Sequence, residues 1–318
     1  MRSRNIYYLL KPAIPRTVRL ALRRFRARGL RHRFRNSWPI NEAAGRAPVG
    51  WPGWPDGKEL AFVLTHDVEG KRGLARCRRL AELEMRLGFR SAFNFVPEGE
   101  YVAPEPLRAF LIEHGFEVGV HDLHHDGKLY RSWESFKDDA RRINHYLASW
   151  GAVGFRSGFM LHNLRWLREL NILYDASTFD TDPFEPQPDG VNTIFPFWVP
   201  RTDSTGYVEL PYTLPQDSTL FLVLREKATD VWKRKLDWVA AHGGLALVNV
   251  HPDYMSFDGR PGSSEYAADL YEDFLADVNN RYRSRCWFAL PQDVATYVRR
   301  HGPALTAATA RAVPSGAR

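Results

Sequence analysis

Histidines and carboxylates follow several apolar runs of this sequence of 318 residues, at the point where each run ends. His121 and His125 come directly after one such run, and two imidazoles four residues apart can bind one divalent cation. Surface or core histidines are the other explanation of such a pair. His124 adds a third imidazole, but its adjacency to His125 points it elsewhere. The pair indicates a metal site that needs further ligands.

A second apolar run ends with two carboxylates, Asp67 and Glu69, and the next residue, Gly70, allows the chain to turn away. Carboxylates that share a site can divide the work, since one can bind a metal while the other acts as a general base on water. A helix cap or a turn at the end of a strand is the alternative interpretation of this segment.

A third apolar run, 246–250, ends at His251. A histidine at the end of a buried strand can act as a general acid that protonates a leaving group. A core histidine with a satisfied hydrogen bond is the simpler explanation when such a residue is taken alone. The three segments together are more specific than any one of them.

The elements that must position these side chains alternate between short apolar runs and helical patterns, which favours a parallel βα architecture. Eight strands would suit a barrel, with its chemistry at the carboxyl ends of the strands, where these polar residues lie. The predicted strands are 60–66, 91–96, 117–121, 153–156, 172–175, 207–210, 245–251 and 287–290. The predicted helices are 75–87, 105–114, 132–150, 163–170, 230–242 and 266–283.

In their order and positions, these segments resemble the motifs of the polysaccharide deacetylases, the family-four carbohydrate esterases that act on chitin, peptidoglycan and nodulation factors. The resemblance covers about residues 58–255 and implies an α/β fold, a distorted (β/α) barrel of seven to eight strands. The matching segments are Thr65-His66-Asp67-Val68, His121 to His125, Phe155-Arg156-Ser157-Gly158, Tyr174 to Asp182 and Val248 to His251.

Two positions depart from the family pattern. Val68 stands where the family has a second Asp that binds the metal, so we expect Glu69 to supply this carboxylate and Asp67 to act as base. The alternative has Asp67 on the metal and leaves the base unassigned. Gly158 stands where the third motif has Pro, which we expect to loosen the substrate groove.

The resemblance implies a hydrolase that removes an acyl group, expected to be N-acetyl, from a sugar of a polysaccharide or glycan precursor. His121, His125 and Glu69 would hold a divalent metal, with zinc as the expected ion. Asp67 would be the base and His251 the acid. Arg156 would keep Asp67 ionised, and one of Asp175, Asp180 or Asp182 would pair with His251. The residues expected to contact substrate are Tyr212, Tyr254 and Asp180; the aromatic rings would stack on sugar or merely pack.

Charge divides the chain unevenly. Residues 1–36 contain twelve Lys and Arg without any Asp or Glu, and the remainder has 32 Lys and Arg against 37 Asp and Glu, a net charge of −5. From Pro15 onward this segment could form a basic amphipathic helix that contacts an anionic membrane peripherally. A solvated tail or a helix packed on the body is the alternative. No nucleic-acid reader motif accompanies the charge, so nucleic acid is not an expected partner.

The predicted organisation is a basic segment at 1–36, a Pro- and Trp-rich connector at 37–57, the barrel at 58–300 and a flexible tail at 301–318. No apolar stretch approaches the ~20 residues of a membrane span, and Arg interrupts any apolar run of a secretory signal. Cys77 and Cys286 are too few for a disulfide framework. We therefore expect a cytoplasmic protein, with peripheral contact at the inner membrane face.

Two other functions compete with this prediction. A glycoside hydrolase also needs two carboxylates at the end of a barrel, but it needs neither a metal nor the histidine pair. A degenerate deacetylase-fold protein that only binds glycan would explain Val68 and Gly158. Against it stands the retention of five site residues for which a binding protein has no use together: Asp67, His121, His125, Arg156 and His251.

Overall fold

A computed structural model describes residues 16–202 and 205–301 of the chain. At its centre lies a curled, nine-stranded sheet. Its longest strand is buried along its whole length, as expected for the continuous apolar run of a strand covered on both faces. The strands are β1 Leu60–Val68, β2 Ala92–Phe95, β3 Glu117–His121, β4 Gly154–Arg156, β5 Tyr174–Asp175, β6 Phe197–Pro200, β7 Gly206–Glu209, β8 Leu245–Val250 and β11 Cys286–Phe288.

The order of the strands is β8-β1-β2-β3-β4-β5-β7-β6, and every neighbouring pair is parallel except β6 and β7. β11 pairs with the first residues of β1, and β2 pairs with the last ones. Two short strands, β9 Met255–Ser256 and β10 Tyr266–Ala267, pair separately. The predicted α/β architecture, a distorted barrel of seven to eight strands, is therefore confirmed.

Irregular backbone joins the last strands to β8. The amides of Thr213 and Leu214 donate to the carbonyl oxygen of Leu247, and the amide of Leu245 donates to the carbonyl oxygen of Ile194. These bonds connect the segments next to β6 and β7 with β8, the strand at the other end of the order. The carboxyl ends of the parallel strands are thereby gathered at one end of a distorted barrel.

Seven α-helices lie in the part of the chain that the structure describes. In the fifth of them, apolar residues buried three or four positions apart, such as Trp232, Leu236 and Val239, form one face against the sheet. This helix ends at Gly243, whose φ of 70° is a left-handed conformation that glycine adopts without strain. The helices are α1 Arg16–Arg33, α2 Lys71–Leu87, α3 Glu105–Glu113, α4 Trp133–Trp150, α5 Asp230–His242, α6 Asp269–Tyr282 and α7 Pro291–His301.

All eight predicted strands are present, with small differences at their ends, but β6, β9, β10 and α7 were not predicted. The predicted helix 163–170 is wrong, because this segment forms only the 3-10 turn Trp166–Glu169. The side chain of Asn144 explains the difference. Its amide nitrogen donates to the carbonyl oxygen of Glu169, and its oxygen accepts from the amide of Asn171. These two bonds end the helical path after one turn.

The helix expected from Pro15 onward is present over the described residues Arg16–Arg33 and packs on the body. In the connector that follows, Trp38 and Trp54 are buried. Cys77 and Cys286 are free and buried. Residues 1–15, and the predicted tail apart from His301, lie outside the described residues. The helices of the described part include none that is long and apolar enough to cross a membrane.

Candidate active site

His121, His125 and Glu69 come together at the carboxyl end of the sheet. One ligand atom from each lies within 4.8 Å of the others, and Glu69 Oε1 is 3.2 Å from His125 Nε2. His121 Nδ1 lies 3.0 Å from the carbonyl oxygen of Arg156. A carbonyl can only accept, so Nδ1 carries the hydrogen and Nε2 keeps its lone pair.

The free lone pair of His121 fits a metal ligand. Its Nε2 atom is buried and has no hydrogen-bond partner among residues 16–202 and 205–301. Burial lowers the pKa of this imidazole, with the neighbouring His125 acting in the same direction, and thus favours the neutral form that binds metals. Two imidazoles and a carboxylate are a ligand set that zinc uses in catalytic sites.

A strained loop holds His125 in place. His125 and Asp122 both have a positive φ, 53° and 58°, a conformation that is costly for residues other than glycine and that clusters at functional sites. Gly158 leaves the room that this loop needs, because a Cβ atom there would lie 2.5 Å from Asp122 Oδ2 and 2.8 Å from His125 Cδ2. The imidazole and the Asp122 carboxylate therefore occupy the space that a side chain at position 158 would take.

Asp67 lies beside this cluster, buried and surrounded by donors. Arg156 Nη1 is 3.2 Å from its Oδ1 atom, and Asn94 and Asn249 donate to its two oxygens at 3.1 and 2.8 Å. Burial alone would raise the pKa of Asp67, but the charges of Arg156 and of protonated His251 outweigh it and hold the pKa well below its usual range. Asp67 is thus an anion at any working pH.

Arg156 is itself fully buried and fixed by several acceptors. Its Nε atom donates to the carbonyl oxygen of Ala176 at 2.7 Å, and Nη1 donates to Thr65 Oγ1 at 2.8 Å and to Asn249 Oδ1 at 2.5 Å. A buried guanidinium needs a carboxylate partner to offset its lost hydration. Asp67 is that partner, which ties the charge of one residue to that of the other.

His251 directly follows β8 and faces the carboxylates of Asp67 and Glu69. Its Nε2 atom is 3.9 Å from Asp67 Oδ2 and 3.9 Å from Glu69 Oε1, and its Nδ1 atom is 2.7 Å from Asp217 Oδ1. Burial acts to lower the pKa of His251, but Asp217, Glu69 and Asp67 outweigh it and raise the pKa to about 10. The imidazole is therefore protonated at neutral pH.

The predicted partner of His251 is wrong. Asp217 holds this position, whereas the three aspartates that the sequence suggested are bonded elsewhere. Asp175 accepts from Ser177, Asp182 accepts from Tyr212 and Phe184, and Asp180 is paired with Lys235. Asp217 reaches His251 because it comes just before the π-helix Ser218–Val223, beside the carboxyl end of β8.

The segment after His251 positions Glu69. Asp253 accepts from the amide of Glu69 at 2.9 Å and from the amide of Gly73 at 3.1 Å, so its carboxylate caps the first turn of α2. The hydroxyl of Tyr254 donates to Glu69 Oε2. Burial would raise the pKa of Glu69, but His125, His251 and this hydroxyl lower it well below its usual value. The chain thereby brings an ionised carboxylate to the histidine pair.

The three residues expected to contact substrate lie in different places. Tyr254 lies at the site, half-buried against Glu69 and beside His251. Tyr212 is buried, and its hydroxyl donates to Asp182 and Glu185 at 3.0 Å each. Asp180 is buried in an ion pair with Lys235 at 2.5 Å. The polar atoms of Tyr212 and Asp180 are thus engaged inside the protein.

Four residues of the site were not predicted from the sequence: Asn94, Asp217, Asn249 and Asp253. Asn249 had a signal, because it is a polar residue inside an otherwise apolar run, and such a residue needs a buried partner. Asn94 has the same property in β2. Asp217 and Asp253 lie in loops that follow the predicted strands 207–210 and 245–251, but nothing local assigns their partners.

No protein-family model matches this sequence, nor does any curated protein. Several solved structures, in contrast, are similar to this chain. A Mycobacterium smegmatis protein assigned to the polysaccharide deacetylases superposes with a TM-score of 0.60 at 22% identity, over 80% of this chain and 94% of that one. The peptidoglycan deacetylase PdaC from Bacillus subtilis superposes with a TM-score of 0.44 at 11% identity, over 78% of this chain and 95% of that one.

A family 4 carbohydrate esterase from Streptomyces lividans gives a TM-score of 0.40 at 14% identity, over 69% of this chain and 90% of that chain. The likeness to the Mycobacterium smegmatis protein establishes a common fold, and this fold is the deacetylase-type barrel that the sequence predicted.

Proposed function

We propose that this protein is a metal-dependent hydrolase that removes an acyl group, expected to be N-acetyl, from a sugar of a polysaccharide or glycan precursor. The observation that carries the proposal is the cluster of Glu69, His121 and His125 with an anionic carboxylate and a protonated imidazole directly beside it. The assignment of the Mycobacterium smegmatis protein to the polysaccharide deacetylases supports the carbohydrate substrate.

The metal would be held by His121, His125 and Glu69, and zinc is the ion that best suits these ligands. When bound, such an ion polarises an acyl carbonyl and lowers the pKa of a water molecule toward neutrality. Glu69 takes the role of the family's second aspartate, which Val68 cannot fill.

Asp67 acts as the general base that takes a proton from the attacking water. Because Arg156 and His251 hold its pKa low, Asp67 is ionised and able to accept a proton throughout the neutral range. A low pKa also makes it a weak base. Fixed geometry compensates, since two asparagines and Arg156 hold both of its oxygens in one orientation.

His251 acts as the general acid. Departure of an amine requires a proton, and a protonated imidazole at neutral pH supplies one. Asp217 accepts the hydrogen on Nδ1, which leaves the hydrogen on Nε2 directed toward the space between Asp67 and Glu69. Base and acid thus lie 3.9 Å apart, next to the three proposed metal ligands.

The test is metal content together with acetate release from N-acetylated oligosaccharides. We expect about one divalent ion per chain in the wild type, and loss of both ion and turnover in the His121→Ala/His125→Ala variant. The matched control is His114→Ala/His124→Ala, which removes two exposed histidines that are not proposed ligands and should keep both the ion and turnover. Full metal content and turnover in the His121→Ala/His125→Ala variant would refute the proposal. A wild-type protein that binds glycan but has neither metal nor turnover would be a binding protein instead.

A further inference from the structure

The outward face of α1 carries three exposed apolar side chains. Val18, Leu22 and Phe25 are 47%, 58% and 78% exposed. They are spaced four and three residues apart, so they lie along one line of the helix. We call this line the apolar ridge. Large apolar side chains that stay exposed in a row indicate a contact surface rather than chance.

Arginines flank the ridge. α1 contains eight arginines and no acidic residue. At 100° per residue, Arg26 and Arg33 fall beside the ridge on one flank, and Arg28 and His32 fall on the other. All four are exposed. The surface therefore combines a central apolar line with positive charge on both sides.

The body of the protein fixes the direction in which the ridge faces. On the opposite side of α1, Ala27 is only 2% exposed, and Arg24 Nε donates to the carbonyl oxygen of Leu222 at 2.9 Å. Arg31 forms an ion pair with Glu226 at 2.8 Å. These contacts hold the helix by one face, so the ridge points away from the barrel.

We propose that the apolar ridge of α1 docks on the surface of an anionic lipid bilayer. A helix that inserts apolar side chains below the headgroups and keeps arginines at their level is held by both hydrophobic and electrostatic attraction. A nucleic acid fits this face less well, because phosphates need donors and the ridge offers none at its centre.

Docking would bring the candidate site near the bilayer. The π-helix that contains Leu222, the residue bonded to α1, begins directly after Asp217, the partner of His251. On the proposed function, this position suits a glycan attached to a membrane lipid. The docking itself does not depend on that function, because vesicle binding is measured without any turnover.

The test is co-sedimentation with vesicles of phosphatidylcholine, with and without phosphatidylglycerol. We expect binding to the anionic vesicles alone. Leu22→Ser/Phe25→Ser should weaken it by at least about tenfold, because two apolar side chains no longer insert. Arg26→Gln/Arg28→Gln should weaken it by about tenfold, because each arginine attracts anionic lipid.

The matched control is Val102→Ser/Ile112→Ser, since these side chains are 81% and 54% exposed but lie outside α1. This variant should bind as the wild type does. Equal binding to neutral vesicles, or no loss of binding in the ridge variant, would overturn the proposal.

Three further results would assign the ridge to another occupant and also overturn the proposal. A dimer that the ridge substitutions dissociate in light scattering would indicate a second copy of the chain. A fall in melting temperature of several degrees would indicate that the chain itself covers the ridge. RNA binding that these substitutions weaken, without any vesicle binding, would indicate a nucleic acid.

Discussion

The carboxylates of Asp67 and Glu69 and those of Asp175 and Glu209 all belong to the carboxyl ends of parallel strands in one sheet, but their neighbours differ. Asp67 lies against Arg156 and Glu69 lies against His125. Asp175 and Glu209 lie against each other, and hydroxyl and amide groups supply their remaining bonds. The second set is called the carboxylate pair here.

These neighbours determine whether each carboxyl group is protonated. Burial raises the pKa of Glu209 well above its usual value, and Asp175 adds to the rise. Burial acts on the pKa of Asp67 in the same direction, yet the cations around Asp67 outweigh it and lower the pKa. Position at the end of a strand therefore does not make a carboxylate catalytic. A buried carboxylate stays ionised only where a fixed cation offsets its lost hydration.

The comparison is tested most strongly by Asp67→Asn. We expect turnover to fall by about 10³-fold or more, as is typical for loss of a general base, while metal content remains near that of the wild type. Glu209→Gln makes the same chemical change in the carboxylate pair and should alter turnover by less than about twofold. A variant of Asp67 that retains turnover would remove this residue from the base role.

A pH titration of stability tests the carboxyl groups that lack a fixed cation. Burial raises the pKa of Glu117 to about 7 from 4.5, although Tyr174 and the amide of Gln292 bind it. The folded state therefore keeps a proton that the unfolded state loses as pH rises through this window. The free energy of unfolding should therefore fall by up to about 3 kcal/mol as pH rises from 4.5 to about 7.

In Glu117→Gln this fall should disappear, as measured by urea unfolding at several pH values. Glu82 is exposed, so Glu82→Gln provides the control and should show the same dependence of unfolding free energy on pH as the wild type. An unchanged slope in the Glu117 variant would show that burial does not raise its pKa.

The link between Asp217 and His251 predicts a change in pH dependence. Asp217→Asn removes the carboxylate that raises the pKa of His251, so the imidazole loses its proton at lower pH. We expect the alkaline limb of kcat to move down by at least about one pH unit. Asp182→Asn should leave the alkaline limb in place. A shift in Asp182→Asn but not in Asp217→Asn would make Asp182 the partner of His251, as the sequence suggested.

The smallest effect is expected for Tyr254→Phe. This change removes the hydrogen bond to Glu69 Oε2 and leaves the ring. Partners of this kind change metal affinity by about tenfold, so metal should bind more weakly while turnover at saturating metal changes little. Metal titration of the two proteins separates these quantities. Equal affinity would mean that Asp253 alone positions Glu69.

Much of the fold followed from local patterns. Apolar runs, helical spacing and polar residues at the ends of runs are properties of neighbouring residues, so they predicted eight strands, the parallel architecture and a group of polar side chains at one end. β6 was missed because Phe197–Pro200 is short and ends in proline. The turn at Trp166–Glu169 was misjudged because a side chain from α4, Asn144, ends it.

The candidate site divides in the same way. The sequence by itself determined which residues stand at the strand ends, including Asp67, His121, Arg156 and His251, since strand direction fixes where these side chains emerge. Only the tertiary structure decided which of them pair. Asp217 meets His251, and Asp253 meets Glu69, across 34 and 184 positions of chain. Such contacts depend on how loops fold over the sheet, and no local pattern in the sequence encodes that.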